Sequence, residues 1–67
     1  MSKFSQRLKE LRKERNLSQK QLAQDTKIGQ TSISGYEIGS SHPTDEVIIV
    51  FCKYFNVSAD YILGLEN

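Results

Sequence analysis

QKQLAQDTKIGQTSISGY, residues 19–36, predicts two short helices with a tight turn between them. Ser18 stands just before the first helix as a good N-cap, and Gln21 three residues later gives an S-x-x-Q capping box. Gly29 can cap the second helix. These signals place a helix, a turn and a second helix within this one stretch.

The second of these helices is polar on its outside and nearly uncharged. Its short or hydrogen-bonding side chains are Gln30, Thr31, Ser32 and Ser34. Its apolar residues are Ile33 and Tyr36. Side chains of the first kind can meet base edges in the major groove of DNA. The pattern favours a surface that reads base edges over one that is only solvated.

The rest of the chain predicts further short helices and no strand. Phe4, Leu8 and Leu11 fall at i, i+4 and i+7, which is one face of a helix. Pro43 blocks a continuing helix, and Thr44 can cap the next one. We expect an all-α fold, a compact five-helix bundle that forms a single domain over residues 1–67. The helices are expected at residues 3–14, 19–25, 30–37, 45–55 and 59–64.

The sequence resembles the helix-turn-helix proteins of the lambda repressor/Cro family, also called the Xre family. The resemblance covers roughly residues 4–65. The matching residues are Gln19, Ala23, Ile28, Ile33, Tyr36, Glu37, Gly39, Pro43, Asn56, Val57, Ser58, Asp60, Tyr61, Ile62, Leu63 and Gly64. A lone helix-turn-helix match is weak, but this ordered set at family spacing is specific. It implies the lambda repressor-like fold, with the helix-turn-helix formed by the second and third helices.

The resemblance implies that the third helix contacts bases. The residues at the base-reading positions are Gln30, Thr31, Ser34 and Gly35. A glutamine can pair with N6 and N7 of adenine, which is worth about 1–3 kcal/mol of discrimination. Many relatives carry a longer, base-reading side chain where this sequence has Gly35. Two interpretations of that glycine stay open, namely close approach of the backbone to DNA and a tolerant position without a role.

Phosphate contacts are implied at both ends of the helix-turn-helix. In relatives the residue matching Gln19 bonds a phosphate and braces the third helix. Arg12 and Glu37 are expected to pair and to fix the third helix against the first, and Arg12 is also a phosphate candidate. The other phosphate candidates are Ser18, Lys20, Lys27, Ser32, Ser40, Ser41 and His42.

The sequence departs from the family pattern in two places. Many relatives place Lys or Arg in the loop after the third helix, where this chain has residues 40–42, SSH. Hydroxyl and backbone donors can partly replace those cations. Relatives usually have a left-handed glycine where this chain has Lys27, so we expect either a strain of about 1 kcal/mol or a shifted turn.

The small net charge of +1 hides an uneven distribution. Residues 1–20 carry seven basic and two acidic side chains (+5), whereas residues 21–67 carry two basic and six acidic ones (−4). A basic end of this kind can meet a phosphate backbone. The alternative is a solvated first helix, and the charge pattern alone does not separate the two.

The fourth helix is apolar on almost all sides, which predicts a partner surface. Ile48, Phe51, Cys52 and Phe55 satisfy the core. Relatives commonly form a two-fold dimer through the fourth and fifth helices. We therefore expect a homodimer, and the alternative is a scatter of surface apolar residues. The candidate interface residues are Val47, Val50, Tyr54, Tyr61 and Leu65.

Neither an enzyme nor a cofactor site is indicated. The sequence has no nucleophile–base–acid set, no Gly-rich phosphate loop and no cluster of metal ligands. Cys52 is the one cysteine and reads as a buried apolar residue. No apolar run is long enough to span a membrane, and no signal peptide opens the chain. We expect a soluble protein of the bacterial cytoplasm, encoded by a bacterium or a phage and associated with the nucleoid.

The sequence thus predicts a sequence-specific regulator of transcription that binds double-stranded DNA, with repression as its expected effect. A homodimer would place two copies of the third helix in successive major grooves of a pseudo-palindromic operator, about 34 Å apart. The alternatives are an interaction module on the same fold, such as an antitoxin or adaptor, and the DNA-binding part of a longer regulator.

Overall fold

The computed structural model describes residues 2–66 and has α-helices as its regular elements in that range. The helices are α1 (Lys3–Glu14), α2 (Gln19–Thr26), α3 (Gln30–Ile38), α4 (Asp45–Phe55) and α5 (Ala59–Leu63). The all-α prediction is confirmed, and each predicted boundary lies within one residue of the observed one. No helix within the described range has the length and apolarity needed to cross a membrane.

Serine and threonine side chains cap the starts of the helices. The side-chain oxygens of Ser18, Thr44 and Ser58 each accept the N–H three residues later, as predicted for α2, α4 and α5. Ser2 caps α1 in the same way, which the sequence analysis missed. The predicted capping box is only half formed. The amide of Gln21 donates forward along α2 to Asp25, at 2.7 Å, instead of reaching back to Ser18.

The core is built around an aromatic cluster. The ring of Tyr36 on α3 meets Phe4 on α1 at 6.1 Å and Phe51 on α4 at 6.3 Å, both edge to face. Leucine and isoleucine side chains from all five helices except α4 complete the core. They are Leu8, Leu11, Leu22, Ile33 and Ile62. Since α1 packs against both α3 and α5, it holds α3 in place from the inside.

The chain makes its turns at residues in the left-handed conformation. Asn16, Lys27 and Asn56 all have positive φ, at 56°, 64° and 57°. Lys27 therefore keeps the backbone conformation that a glycine would adopt there, and the turn between α2 and α3 retains the family form. Thr26 supports this turn, because its hydroxyl donates to the carbonyl of Leu22 and accepts the N–H of Ile28.

Candidate nucleic-acid interface

A shallow groove runs along the outer face of α3. It has a volume of about 480 Å³. Its walls are the start of α2, the exposed face of α3 and the turn that follows α3. The lining residues are Gln19, Gln30, Thr31, Ser34, Gly35, Ile38, Ser40 and Ser41. Most of the predicted base and phosphate contacts therefore meet on one continuous polar surface.

The N-terminus of α3 opens onto this groove without a side-chain cap. Gly29 is the N-cap and offers no side-chain hydrogen bond to the helix. The first N–H of α3 bonded in the helical pattern is that of Ile33, which donates to the Gly29 carbonyl at 3.0 Å. The N–H groups of residues 30–32 precede that bond and lie at the positive end of the helix dipole. This end of α3 can therefore accept negative charge from a ligand.

A buried carboxylate fixes α3 to the two helices before it. Glu37 is 3% exposed, and its oxygens accept from Nε and Nη2 of Arg12 at 2.7 and 3.0 Å. Gln19 donates to the same carboxylate at 3.1 Å. Arg12 also donates to the carbonyl of Leu17, at 2.7 Å. The hydrogen bonds from Glu37 raise the pKa of Arg12 above its usual value, against the opposite effect of burial.

The expected Arg12–Glu37 pair is therefore present, and it explains the place of Arg12. The Arg12 side chain is only 12% exposed, and Nε, Nη1 and Nη2 each donate to a protein oxygen. These bonds hold its guanidinium inside the molecule. We assign Arg12 to the support of α3 and do not carry forward its candidacy as a phosphate contact.

Gly35 is buried, and the reason differs from both interpretations of the sequence. The turn after α3 folds back over it, so that a Cβ atom at this position would lie 2.6 Å from Ser41 Oγ and 3.1 Å from Ser41 Cβ. The Gly35 carbonyl accepts the N–H groups of Gly39, Ser40 and Ser41. Gly35 thus makes room for the turn. Its predicted contact with a base is wrong, because the turn covers it.

The arginines of the basic N-terminal segment serve the fold. Arg7 lies over the ring of Tyr61 at 4.3 Å and donates to the carbonyls of Tyr61 and Glu66. Arg15 lies over the ring of Phe55 and donates to the last carbonyls of α4. The interpretation of this segment as a phosphate-binding end therefore loses its arginines. The exposed lysines of the segment are Lys3, Lys9, Lys13 and Lys20.

The remaining phosphate candidates lie at or near the groove. Ser18, Lys20 and Lys27 are exposed at the start of α2 and at the turn before α3. Ser32 is exposed on α3 but does not line the groove. His42 lines a neighbouring hollow of about 540 Å³ instead. Ile38 lines both concavities and is 65% exposed, and the sequence analysis did not single it out.

The candidate dimer residues divide into two groups. Val47, Tyr54 and Tyr61 are partly buried against the core of their own chain. The Tyr54 hydroxyl donates to Asp25 at 2.6 Å, and this bond lowers the pKa of Asp25 and raises that of Tyr54. Val50 and Leu65 are exposed. Ile49 is 51% exposed and was missed, because the helical period alone does not say which apolar residues the core covers.

Cys52 is half-buried and packs against the core, close to the sequence interpretation. Burial raises the pKa of its thiol. Within residues 2–66 no group of His, Cys, Asp and Glu side chains could hold a metal ion.

Comparisons with known proteins give a consistent result. A helix-turn-helix family model matches residues 8–62. An uncharacterized HTH-type transcriptional regulator of Bacillus subtilis (strain 168), YobD, is 40% identical over 64 residues, which are 96% of this chain and 57% of YobD. The HTH-type transcriptional activator BcrR of Enterococcus faecalis is 36% identical over 64 residues, 96% of this chain and 31% of BcrR.

A third relative carries a different name. The antitoxin PezA of Streptococcus pneumoniae serotype 4 is 39% identical over 60 residues, which are 90% of this chain and 38% of PezA. The chain thus spans about half the length, or less, of these curated relatives.

Proposed function

Because this chain belongs to the helix-turn-helix family of the lambda repressor/Cro (Xre) type, we propose that it binds double-stranded DNA and reads its sequence in a regulator of bacterial transcription. One observation carries the proposal. Polar side chains from α2, α3 and the following turn line a single groove beside the uncapped N-terminus of α3. A groove of this kind suits a helix that lies in the major groove of DNA.

The base contacts are assigned to the outer face of α3. Gln30 is exposed in the first turn of α3, where an amide can pair with N6 and N7 of an adenine. Thr31 is exposed beside it and can meet a thymine methyl group or a polar base edge. Ser34 follows one turn later, half-buried at the edge of the groove. Since Gly35 is covered, discrimination rests on these three residues and on DNA shape.

The phosphate contacts are assigned to groups on both sides of that face. The amide nitrogen of Gln19 has two hydrogens, and only one of them is needed for the bond to Glu37. The second can meet a phosphate oxygen. Lys20 and Lys27 add positive charge, and the hydroxyls of Ser18, Ser40 and Ser41 add donors. Ser32 and His42 are at the margin of this contact.

Two copies of the chain are needed for a regulator of this type. A homodimer with two-fold symmetry places two copies of α3 about 34 Å apart, in successive major grooves of a pseudo-palindromic operator. A dimer bound over a promoter excludes polymerase, so repression is the proposed effect. This action places the protein on the nucleoid, in the cytoplasm of a bacterial cell.

The proposal is tested by selecting duplexes from a random DNA library with the purified protein at about 100 mM salt, a range in which phosphate contacts still contribute to affinity. We expect enrichment of an inverted repeat with half-site centres about one helical turn apart. A promoter-reporter assay with that site then measures the sign of regulation. A folded protein that enriches no sequence would contradict the proposal.

Replacement of Gln30 tests the base-reading assignment. Gln30→Ala is expected to lower affinity for the selected site by about tenfold or more, from the loss of about 1–3 kcal/mol, and to relax the preference at one base pair per half-site. Gln24→Ala is the matched control, since Gln24 is an exposed glutamine of α2 that does not line the groove. Gln19→Ala should weaken all sequences by a similar factor. An unchanged preference in Gln30→Ala would refute this assignment.

An interaction module remains the second candidate, favoured by the absence of Lys and Arg at residues 40–42 and by the likeness to an antitoxin. In that case the same fold binds a partner protein. Failure of the selection, together with capture of one specific partner by the folded chain, would favour it. The single domain of residues 1–67 can also be one part of a longer regulator, since the curated relatives extend beyond it.

A further inference from the structure

The outer face of α4 carries a stripe with a particular order of side chains. Glu46, Ile49, Val50 and Lys53 are all exposed. Their spacing of three, one and three residues keeps them on one side of a helix. The two apolar residues are 51% and 37% exposed and lie between the two charged ones. We call these residues the α4 stripe.

The stripe is complementary to itself. Its centre falls between Ile49 and Val50, and Glu46 and Lys53 stand at equal distances on either side, about 10 Å apart along the axis. If a second α4 is laid against it in the opposite direction, each glutamate meets the lysine of the other copy. Ile49 of each copy then meets Val50 of the other. A two-fold dimer needs this property, because one patch must fit itself.

Neither charge of the stripe is used within the chain. Among residues 2–66 the one ion pair joins Arg12 to Glu37, so Glu46 and Lys53 are available to a partner. The neighbouring apolar residues of α4 are already engaged. Val47 packs on the core, and Tyr54 is held by Asp25 and packs on Phe55. The stripe is therefore the part of α4 that another surface can cover.

We infer that a second copy of this chain covers the α4 stripe, with the two α4 helices antiparallel and the two-fold axis between Ile49 and Val50. The inference rests on the proposed function in one respect, which is that reading an inverted repeat requires two copies. It replaces most of the interface expected from the sequence, because Val47, Tyr54 and Tyr61 are occupied within one chain.

The expected dimer is weak in solution and strong on DNA. An interface made mainly of Ile49 and Val50 from each copy is small compared with those of stable dimers. Two half-sites on one duplex hold the copies close together, which raises their effective concentration. Binding to a double site is therefore expected to be cooperative, whereas a single half-site binds one copy.

Charge exchange on the stripe gives the test, with sedimentation equilibrium as the measurement. Glu46→Lys and Lys53→Glu are each expected to weaken self-association by about tenfold, since each removes two ion pairs per dimer and sets like charges opposite each other. An equimolar mixture of the two variants should associate again as a heterodimer. The double variant Glu46→Lys/Lys53→Glu should self-associate like the original chain.

The matched controls carry the same charge changes on α1. Glu10→Lys and Lys9→Glu alter exposed residues outside the stripe and should leave self-association unchanged. Circular dichroism on heating checks that every variant is folded. A chain that stays monomeric up to its solubility limit would overturn the inference, and so would a dimer that the single exchanges do not weaken. The library selection is independent, so a monomer that still enriches a DNA sequence overturns only the inference.

Discussion

At the scale of single residues, one carboxylate joins the parts of the candidate interface. Glu37 belongs to α3 and accepts hydrogen bonds from Arg12 on α1 and Gln19 on α2. A nearly buried carboxylate is costly unless a cation and further donors compensate it. Arg12 and Gln19 provide both, and this sets the position of Gln19 beside the groove. The support of α3 and the expected phosphate contact therefore share one side chain.

Gly35 gives the first prediction in this section. Gly35→Ala gains about 1 kcal/mol of helix propensity, but its Cβ collides with Ser41 and displaces the turn that walls the groove. We expect a free energy of unfolding within about 1 kcal/mol of the original, together with a clear loss of affinity for the selected DNA. Urea unfolding and DNA titration measure the two effects.

The matched variant for this prediction is Ser41→Gly. It removes both close atoms of residue 41, so the double variant Gly35→Ala/Ser41→Gly should recover much of the affinity that Gly35→Ala loses. If the two substitutions simply add, the collision with Ser41 is not the reason for the glycine.

At the scale of the elements, a hydrogen bond between exposed side chains links α2 to α4. The Tyr54 hydroxyl on α4 donates to Asp25 near the end of α2. This bond lowers the pKa of Asp25 below its ordinary value of 3.8, and it raises the pKa of Tyr54 above 10.0. The stabilisation is therefore present above about pH 3.8 and is lost as pH falls through the lowered pKa of Asp25. It is also present below pH 10.0 and lost as pH rises through the raised pKa of Tyr54.

Tyr54→Phe tests this link between helices. The variant should melt at a slightly lower temperature than the original chain near neutral pH. The difference should shrink in acid below pH 3.8 and in base above pH 10.0, because the original chain loses the bond at both ends. Melting temperatures across pH measure this. Tyr61→Phe is the control, and a difference that does not vary with pH would contradict the prediction.

The helices themselves could be predicted, but several of their partners could not. Apolar spacing and the caps at Ser18, Thr44 and Ser58 define the boundaries, because both are local in sequence. The inward use of Arg7 and Arg15 depends on residues more than 35 positions away, on α4 and α5. A basic segment looks the same in sequence whether its arginines serve the fold or a ligand. The burial of Gly35 was hidden for the same reason, since the covering turn takes its path only in the folded chain.

At the scale of the whole molecule, the interface has few cations to offer to DNA. The arginines are engaged inside the fold, and residues 40–42 carry no Lys or Arg. Each cation placed on a phosphate adds about 0.9 to the slope of log affinity against log salt concentration. We therefore expect a shallow salt dependence, with Lys20 and Lys27 as its main sources.

His42→Arg tests this property of the molecule. His42 is exposed at the turn after α3, so an arginine there can reach a phosphate without disturbing the core. The slope should steepen by about one per copy of the chain, and affinity should rise most at low salt. Glu10→Gln changes the net charge by the same amount on α1 and serves as the control. Equal effects of the two variants would mean that overall charge, rather than this position, governs binding.

The two sides of α3 have separate tasks, and this has a consequence for how such a domain can diversify. Ile33, Tyr36 and Glu37 hold the helix to the rest of the molecule, while Gln30 and Thr31 face outward and are exposed. Exchanging the outward pair leaves every buried contact intact. New operator preferences can therefore arise by single steps that each leave a folded protein, and a synthetic library randomised at residues 30, 31 and 34 should yield many stable variants with different targets.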